Sequence, residues 1–386
     1  MTTPEARIEE FFADRYRREA IYLPSGRLAL YLAFREWLRP GSRLLLSPVD
    51  DDVVFFTVLA AGLKPVLGPL DPKSGNLDPD RVDAGTWASL DAVMTTNLYG
   101  VPDRMDRLIE TCRRHRLLLI EDACQALDSR WGGRRIGGCA EVAAFSLTKH
   151  VEGTGGVLVF SDARRRASLL ESARREIVRP DAATRARRAF RSAARASGTG
   201  AVLRSARRLL APAPRERPAH RMVYRMEEVQ SAGAAGAGLH RFDQWVRVDN
   251  ADYRTEPSPA DKERTLRELE NLEENRRLRL SGARTLLGLG LTPPGVEIPA
   301  DTALFKVPLF VRDREQVLSR LRDRGLDLDY IYDPPLDVYA AALAVSLPSP
   351  PESIRWSRDV LPVDPRLADR FLSILRGLPA LESACA

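Results

Sequence analysis

LLLIEDACQALDSRWGGRRIGGCAEVAAFSLTKHVEGTGGVLVF, residues 117–160, holds apolar runs that each end at a polar, reactive side chain. Leu117–Ile120 runs into Glu121 and Asp122, with Gln125 three residues further on. Glu141–Ser146 is followed by Lys149 and a glycine turn, Gly153–Gly156, that feeds Val157–Phe160. Short, continuous apolar runs of this kind read as strands buried on both faces, as in a parallel sheet.

The pattern extends upstream. Residues 5–20 predict a helix, and Ser25 can cap a second one whose Leu28, Leu32 and Leu38 lie on or near one face, closed by Pro40-Gly41. Arg43–Ser47 reads as a strand, Val53–Ala61 as a helix ended by Gly62, and Lys64–Leu67 as a strand. Ala92–Asn97 and Asp103–His115 repeat the strand and the helix. This alternation predicts an α/β fold with a mostly parallel central sheet and helices on both faces. Ligands in such sheets sit beyond the carboxyl ends of the strands, where Asp122 falls.

Downstream, Leu266 begins a strongly charged helix, Ala303–Val311 a strand, Arg314–Arg324 a helix and Pro365–Leu378 a last helix. The chain of 386 residues therefore divides into a large domain, 1–245, and a smaller C-terminal α+β domain, 246–386. Two segments break the pattern. One is Ala/Arg-rich, about 180–219, and the other polar and proline-containing, about 247–265; both read as insertions.

The net charge of +6 is uneven. Residues 174–221 hold 14 arginines against Glu176, Asp181 and Glu216, a local +11 that leaves −5 for the remainder. Such a segment reads first as a solvated surface excursion; if it binds a partner, an acidic carrier or an anionic substrate suits it better than DNA, no DNA-binding module is recognisable, and no nucleic-acid partner is expected. No apolar run is long enough to predict a transmembrane helix, and the charged N-terminus is unlike a secretory signal. Cys112, Cys124, Cys139 and Cys385 form neither a metal-binding nor a disulfide pattern, so a cytoplasmic protein without a metal is expected.

An acid and an amine at neighbouring strand ends suit pyridoxal 5'-phosphate (PLP). That cofactor needs a lysine to hold its aldehyde and an anion to keep its ring nitrogen protonated. Asp122 and Lys149 supply both, and Ser146 can offer a hydroxyl to the phosphate.

The motifs together resemble those of the DegT/DnrJ/EryC1/StrS aminotransferases, PLP enzymes of fold type I that aminate keto-sugars and aminocyclitols. PSGRLALYLAF (24–34) is similar to the family's SGTAAL segment, and AAGLKPVLGPLDPKSGNLDPDRV (60–82) to its AGAxPVFVDVDPxTxNLDPxxV segment. NLYGVPDRMDRL (97–108) is similar to HLYGxPxDMDxL, and LIEDACQA (119–126) to VIEDAAQA. RMVYRMEEVQSA (221–232), DPPLDVY (333–339) and SRDVLPVDP (357–365) match later stretches. The resemblance implies that Lys149 attaches the cofactor and moves the substrate proton, and that Asp122 pairs with the ring nitrogen. It puts Gln125 near the ring, has Ser25, Gly26, Arg27 and Ser146 hold the phosphate, and sets Asn97 and Tyr99 at the pocket's border. It also implies a homodimer, an amino donor such as glutamate or glutamine, and a keto acceptor, free or linked to a nucleotide or carrier.

Four departures lie near that site. Asp50, Asp51 and Asp52 stand where the family places a ring-stacking aromatic residue, and Val223 where it places an asparagine that reaches the partner's phosphate. Arg27 and Arg225 are candidates to supply that contact. The loop from Ser146 to Lys149 is short, Leu127 replaces a polar residue, and Asp337 falls near a common histidine. These changes keep open a different PLP reaction on an amino-acid-derived substrate: a lyase, aldolase or cyclisation. Family members with histidine in place of the lysine are dehydratases; here Lys149 is present and His150 is its neighbour.

Overall fold

The computed structural model describes residues 2–180, 221–246, 253–293, 295–299, 302–330, 332–346 and 351–376. Most of the Ala/Arg-rich segment and residues 247–252 lie outside them. In chain order the first elements are α1 (Pro4–Tyr16), β1 (Glu19–Leu23), α2 (Gly26–Trp37), β2 (Arg43–Leu46), α3 (Asp52–Ala60) and β3 (Lys64–Leu67). They are followed by α4 (Ala84–Ser89), β4 (Ala92–Thr95), α5 (Met105–His115), β5 (Leu118–Asp122), the short hairpin β6 (Arg130–Trp131) and β7 (Arg134–Arg135), β8 (Val142–Ser146), β9 (Gly156–Phe160) and α6 (Arg166–Glu176). After the basic segment come α7 (Met226–Ala234), α8 (Leu239–Val246), α9 (Pro259–Glu270), α10 (Leu272–Leu287), β10 (Val307–Phe310), α11 (Arg314–Asp323) and α12 (Leu336–Tyr339). The last are β11 (Val345–Ser346), α13 (Glu352–Arg358), β12 (Val360–Val363) and α14 (Ala368–Arg376).

Eight strands form the central sheet in the order β1-β9-β8-β5-β4-β2-β3-β11. From β8 to β11 neighbours run parallel; β9 is antiparallel to both β8 and β1. One face packs on α2, α3, α6 and α8 and the other on α1, α5 and α9. The central strands are apolar along both faces because both are covered. Helix α2 is apolar almost throughout, Leu28 to Phe34, because it lies between the sheet and α3 and α6. A third core joins α10, β10, β12, α11 and α14 in the C-terminal region.

Three expectations needed revision. The first helix stops at Tyr16: Arg17 turns left-handed (φ 53°) and its amide donates to Ala13 O. Residues 19–23 then form the edge strand β1, with Ala20 and Tyr22 facing one core and Ile21 and Leu23 the other. The polar stretch 247–265 is packed structure from Tyr253 onward. Thr255 bridges Val178, Ser258 caps α9, and Lys262 pairs with Glu5 and Glu256. Polar composition misled there because these side chains satisfy one another instead of facing water. The C-terminal region also serves the large sheet, since β11 extends it beyond β3 and Leu336 of α12 joins the α2 core.

Candidate active site

Helix α2 begins where the site is built. Ser25 is its N-cap, accepting the Leu28 amide at 3.1 Å, so the free amides of the first turn face the carboxyl ends of β5 and β8. The helix end reaches that position because residue 26 has no side chain. A Cβ there would stand 2.8 Å from Cys124 Sγ and 3.2 Å from Ser146 Cβ. Gly156 on β9 meets the same turn from the other side.

A cavity of about 250 Å³ opens at this junction, lined by Ser25, Gly26, Arg27, Asp51, Asp122, Cys124, Ser146, Thr148 and Lys149, among others. Asp122 is the last residue of β5 and Ser146 the last of β8, two adjacent parallel strands, and Lys149 follows three residues later. Asp122 Oδ1 accepts the Cys124 amide at 2.9 Å, and Ser146 Oγ lies 3.0 Å from Thr148 Oγ1. Arg27 borders the cavity, but its Nη1 donates to Val246 O at 2.8 Å and its guanidinium lies over the Tyr253 ring.

The other residues singled out in the sequence stand behind this wall. Gln125 is buried; its Oε1 accepts the Tyr99 amide at 3.0 Å and its Nε2 donates to Tyr332 Oη at 2.7 Å. Asn97 is left-handed (φ 47°) and donates to Asp122 O and Thr95 Oγ1, while Asp103 accepts the Thr96 and Asn97 amides. These contacts position the loop after β4 against the end of β5. His150 is 1% exposed with Nε2 on Gln125 O at 2.8 Å, and burial, then the Arg279 charge, pull its imidazole down to about 3. It is a neutral support behind Lys149.

The acidic turn before α3 has three distinct roles. Asp51 caps α3 and lines the cavity, Asp52 accepts the Met222 amide, and Asp50 is buried with its Oδ1 on the Asp51 amide. Burial, then the Asp122 charge, push the Asp50 carboxyl well above its usual range. Burial likewise raises Asp122, opposed by the Lys149 ammonium and the Cys124 amide. The cavity therefore concentrates buried carboxylate around one ammonium. A cationic ring nitrogen beside Asp122 would supply missing counter-charge, and the first turn of α2 with Ser146 and Thr148 suits a phosphate. The residues present thus fit PLP. Among the described residues, none of those lining the cavity is aromatic. Val223 is 88% exposed, and Arg225 lies at the start of α7 with its guanidinium 3.8 Å from Glu228.

Sequence reading did not single out Thr148, Cys124, Phe305 or Arg279. Cys124 had a local signal, two residues past Asp122. Phe305 and Arg279 had none, because they reach the site from the distant C-terminal region.

Two curated relatives are GDP-perosamine synthase of Caulobacter vibrioides and dTDP-3-amino-3,4,6-trideoxy-alpha-D-glucose transaminase of Streptomyces venezuelae. The chain is 32% identical to the first over 159 residues, covering 40% of this chain and 43% of that protein. It is 36% identical to the second over 160 residues, 40% of this chain and 42% of that protein. The matched segments thus span about two fifths of these relatives' length. Among solved structures, the E. coli GDP-4-keto-6-deoxy-D-mannose-3-dehydratase with bound hydrated PLP superposes with a TM-score of 0.68 at 15% identity, covering 97% of this chain and 92% of that one. The fold is that of PLP-dependent transferases of fold type I. The DegT/DnrJ/EryC1/StrS aminotransferase family pattern matches residues 5–248, and the chain belongs to that family.

Proposed function

We propose that this protein is a PLP-dependent aminotransferase. It moves an amino group from glutamate or glutamine to the keto group of a sugar, aminocyclitol or related natural-product intermediate, free or linked to a nucleotide or carrier. The carrying observation is the convergence of Lys149, Asp122 and the first turn of α2 on one cavity. Bound PLP supplies an electron sink for breaking a C–H bond next to nitrogen. Asp122 holds the cationic ring nitrogen, and its burial strengthens that attraction. Ser25, Gly26, Arg27 and Ser146 hold the phosphate end. Lys149 would anchor the cofactor, and its Nζ would take a proton from the amino-donor carbon and, in the second half of the reaction, deliver one to the acceptor carbon that receives the amino group. Asn97, Gln125 and Tyr99 keep the wall behind these groups in register. The same reading makes the protein a cytoplasmic homodimer.

Borohydride reduction followed by peptide mass spectrometry tests it. A pyridoxyl mass on Lys149 is expected, with turnover abolished in Lys149→Ala. An adduct elsewhere, or an active Lys149→Ala, removes the reading.

A second reading, a PLP lyase, aldolase or cyclisation on an amino-acid-derived substrate, is favoured by one observation. Among the described residues, the cavity wall carries Asp51 and no aromatic side chain. Incubation with amino donor alone separates the two. A transaminase converts its bound cofactor to the amine form and loses the original absorption band; retention with every donor favours the second reading.

A further inference from the structure

Among the described residues, Arg279 is the largest charged side chain with no exposed surface. It lies on the face of α10 that also carries Gly282, Ala283 and Leu286, all buried, so an apolar side chain would suit the stripe. Burying a guanidinium there is expensive unless its donors are satisfied. Two of its partners lie in the chain at Lys149, and the others come from α10 and the C-terminal region. Nη2 donates to Lys149 O and His150 O, both at 3.4 Å. Nη1 donates to Leu304 O and Phe305 O, both at 3.1 Å, and to Asp364 Oδ1 at 3.4 Å. Nε donates to Asn275 Oδ1 at 2.8 Å, and Asn275 Nδ2 donates in turn to His150 O at 2.9 Å.

The two segments it ties together meet at the reactive amine. Lys149 Nζ lies 6.0 Å from the centroid of the Phe305 ring, and the His150 ring packs on the same aromatic at 5.8 Å. The Phe305 amide is anchored on Tyr99 O at 2.9 Å. Gly100 admits this approach, since a Cβ there would stand 2.9 Å from Phe305 N. One guanidinium therefore grips both the backbone from which Lys149 projects and the backbone carbonyl of Phe305, the residue whose ring Lys149 Nζ faces.

We propose that Arg279 is a positioning residue for Lys149: helix α10 sets the reach of the amine into the cavity through this clamp. The inference rests on the reading of Lys149 as the reactive amine. Arg279→Lys keeps the charge but loses the planar fork. The full-length variant is compared with wild type for two PLP-site ligands. Pyridoxal 5'-phosphate, trapped by borohydride, reports the amine; pyridoxine 5'-phosphate has no aldehyde and reports the rest of the pocket.

Capture at Lys149 should slow about tenfold or more, while the affinity for pyridoxine phosphate and the melting temperature stay close to wild type. Amide hydrogen exchange at residues 147–153 should quicken in the cofactor-free protein. Equal capture rates overturn the proposal, as does a parallel loss of both ligands with a lower melting temperature, which marks a purely structural role. Should Arg279→Lys fail to fold, Asn275→Ala loosens the same clamp from a more exposed position and carries the test, with slower capture expected and equal capture overturning. Absence of capture on Lys149 in wild type would instead defeat the functional reading beneath it.

Discussion

Asp122 ends β5 and Lys149 lies just beyond β8, and the value of the acid lies in its burial. Asp122 is 6% exposed, so its attraction for a cation is little screened. Asp122→Asn keeps the size and can still accept the Cys124 amide, but gives up the charge. Turnover should fall about 100-fold, equivalent to about 2.7 kcal/mol of barrier, while the melting temperature holds or rises because a buried carboxylate is gone. Turnover within threefold of wild type would sink the role of Asp122 (about 0.7 kcal/mol). Both residues were legible in the sequence because each sits beside an apolar run that cannot be anything but a buried strand. Gln125 was legible as a polar residue in the LIEDACQA motif, yet its contact to Tyr332 depends on a segment more than 200 residues away.

At the scale of elements, the acidic turn into α3 has a pH-dependent consequence. Burial, then the neighbouring Asp51 charge, push the Asp52 carboxyl up to about 6. A carboxyl with a folded-state pKa above its unfolded value of about 3.9 binds its proton more tightly when folded. Its stabilising contribution is complete below about pH 4 and is lost as pH rises through about 6. Asp52→Asn cannot ionise. Its melting temperature relative to wild type should therefore climb between about pH 4 and pH 7, as followed by circular dichroism. A difference that is flat or falls over that window would contradict the assigned environment. The helix itself was readable from Val53, one residue inside its start at Asp52, where Asp51 caps it. That the turn is buried under Arg221, which donates to Asp50 O, Tyr332 O and Pro334 O, was not.

Across the whole molecule, a small aromatic layer joins the C-terminal region to the main sheet. Trp356 is 1% exposed, packs edge-on against Phe310 at 5.1 Å and donates Nε1 to Pro72 O at 3.3 Å. Tyr99 and Tyr332 belong to the same layer, so it abuts the candidate site. Trp356→Ala should cost about 3–5 kcal/mol by chemical denaturation and broaden or split the transition as the two cores uncouple. A loss below about 1 kcal/mol would show that the layer does not link them.

The sequence by itself determined the alternation of buried strands and helices and the order of the motifs, and it offered Asp122 and Lys149 as the candidate acid–amine pair. Those depend on periodicity and caps, which are local. The tertiary structure decided what a local signal cannot carry. It placed strand β1 at the sheet edge and packed the polar stretch beyond residue 252 against α1. It also brought Arg279 and Phe305 to Lys149 and decided which member of the acidic turn, Asp51, lines the cavity. Burial and charge pairing arise between residues distant in the chain, so they exist only once the chain has folded.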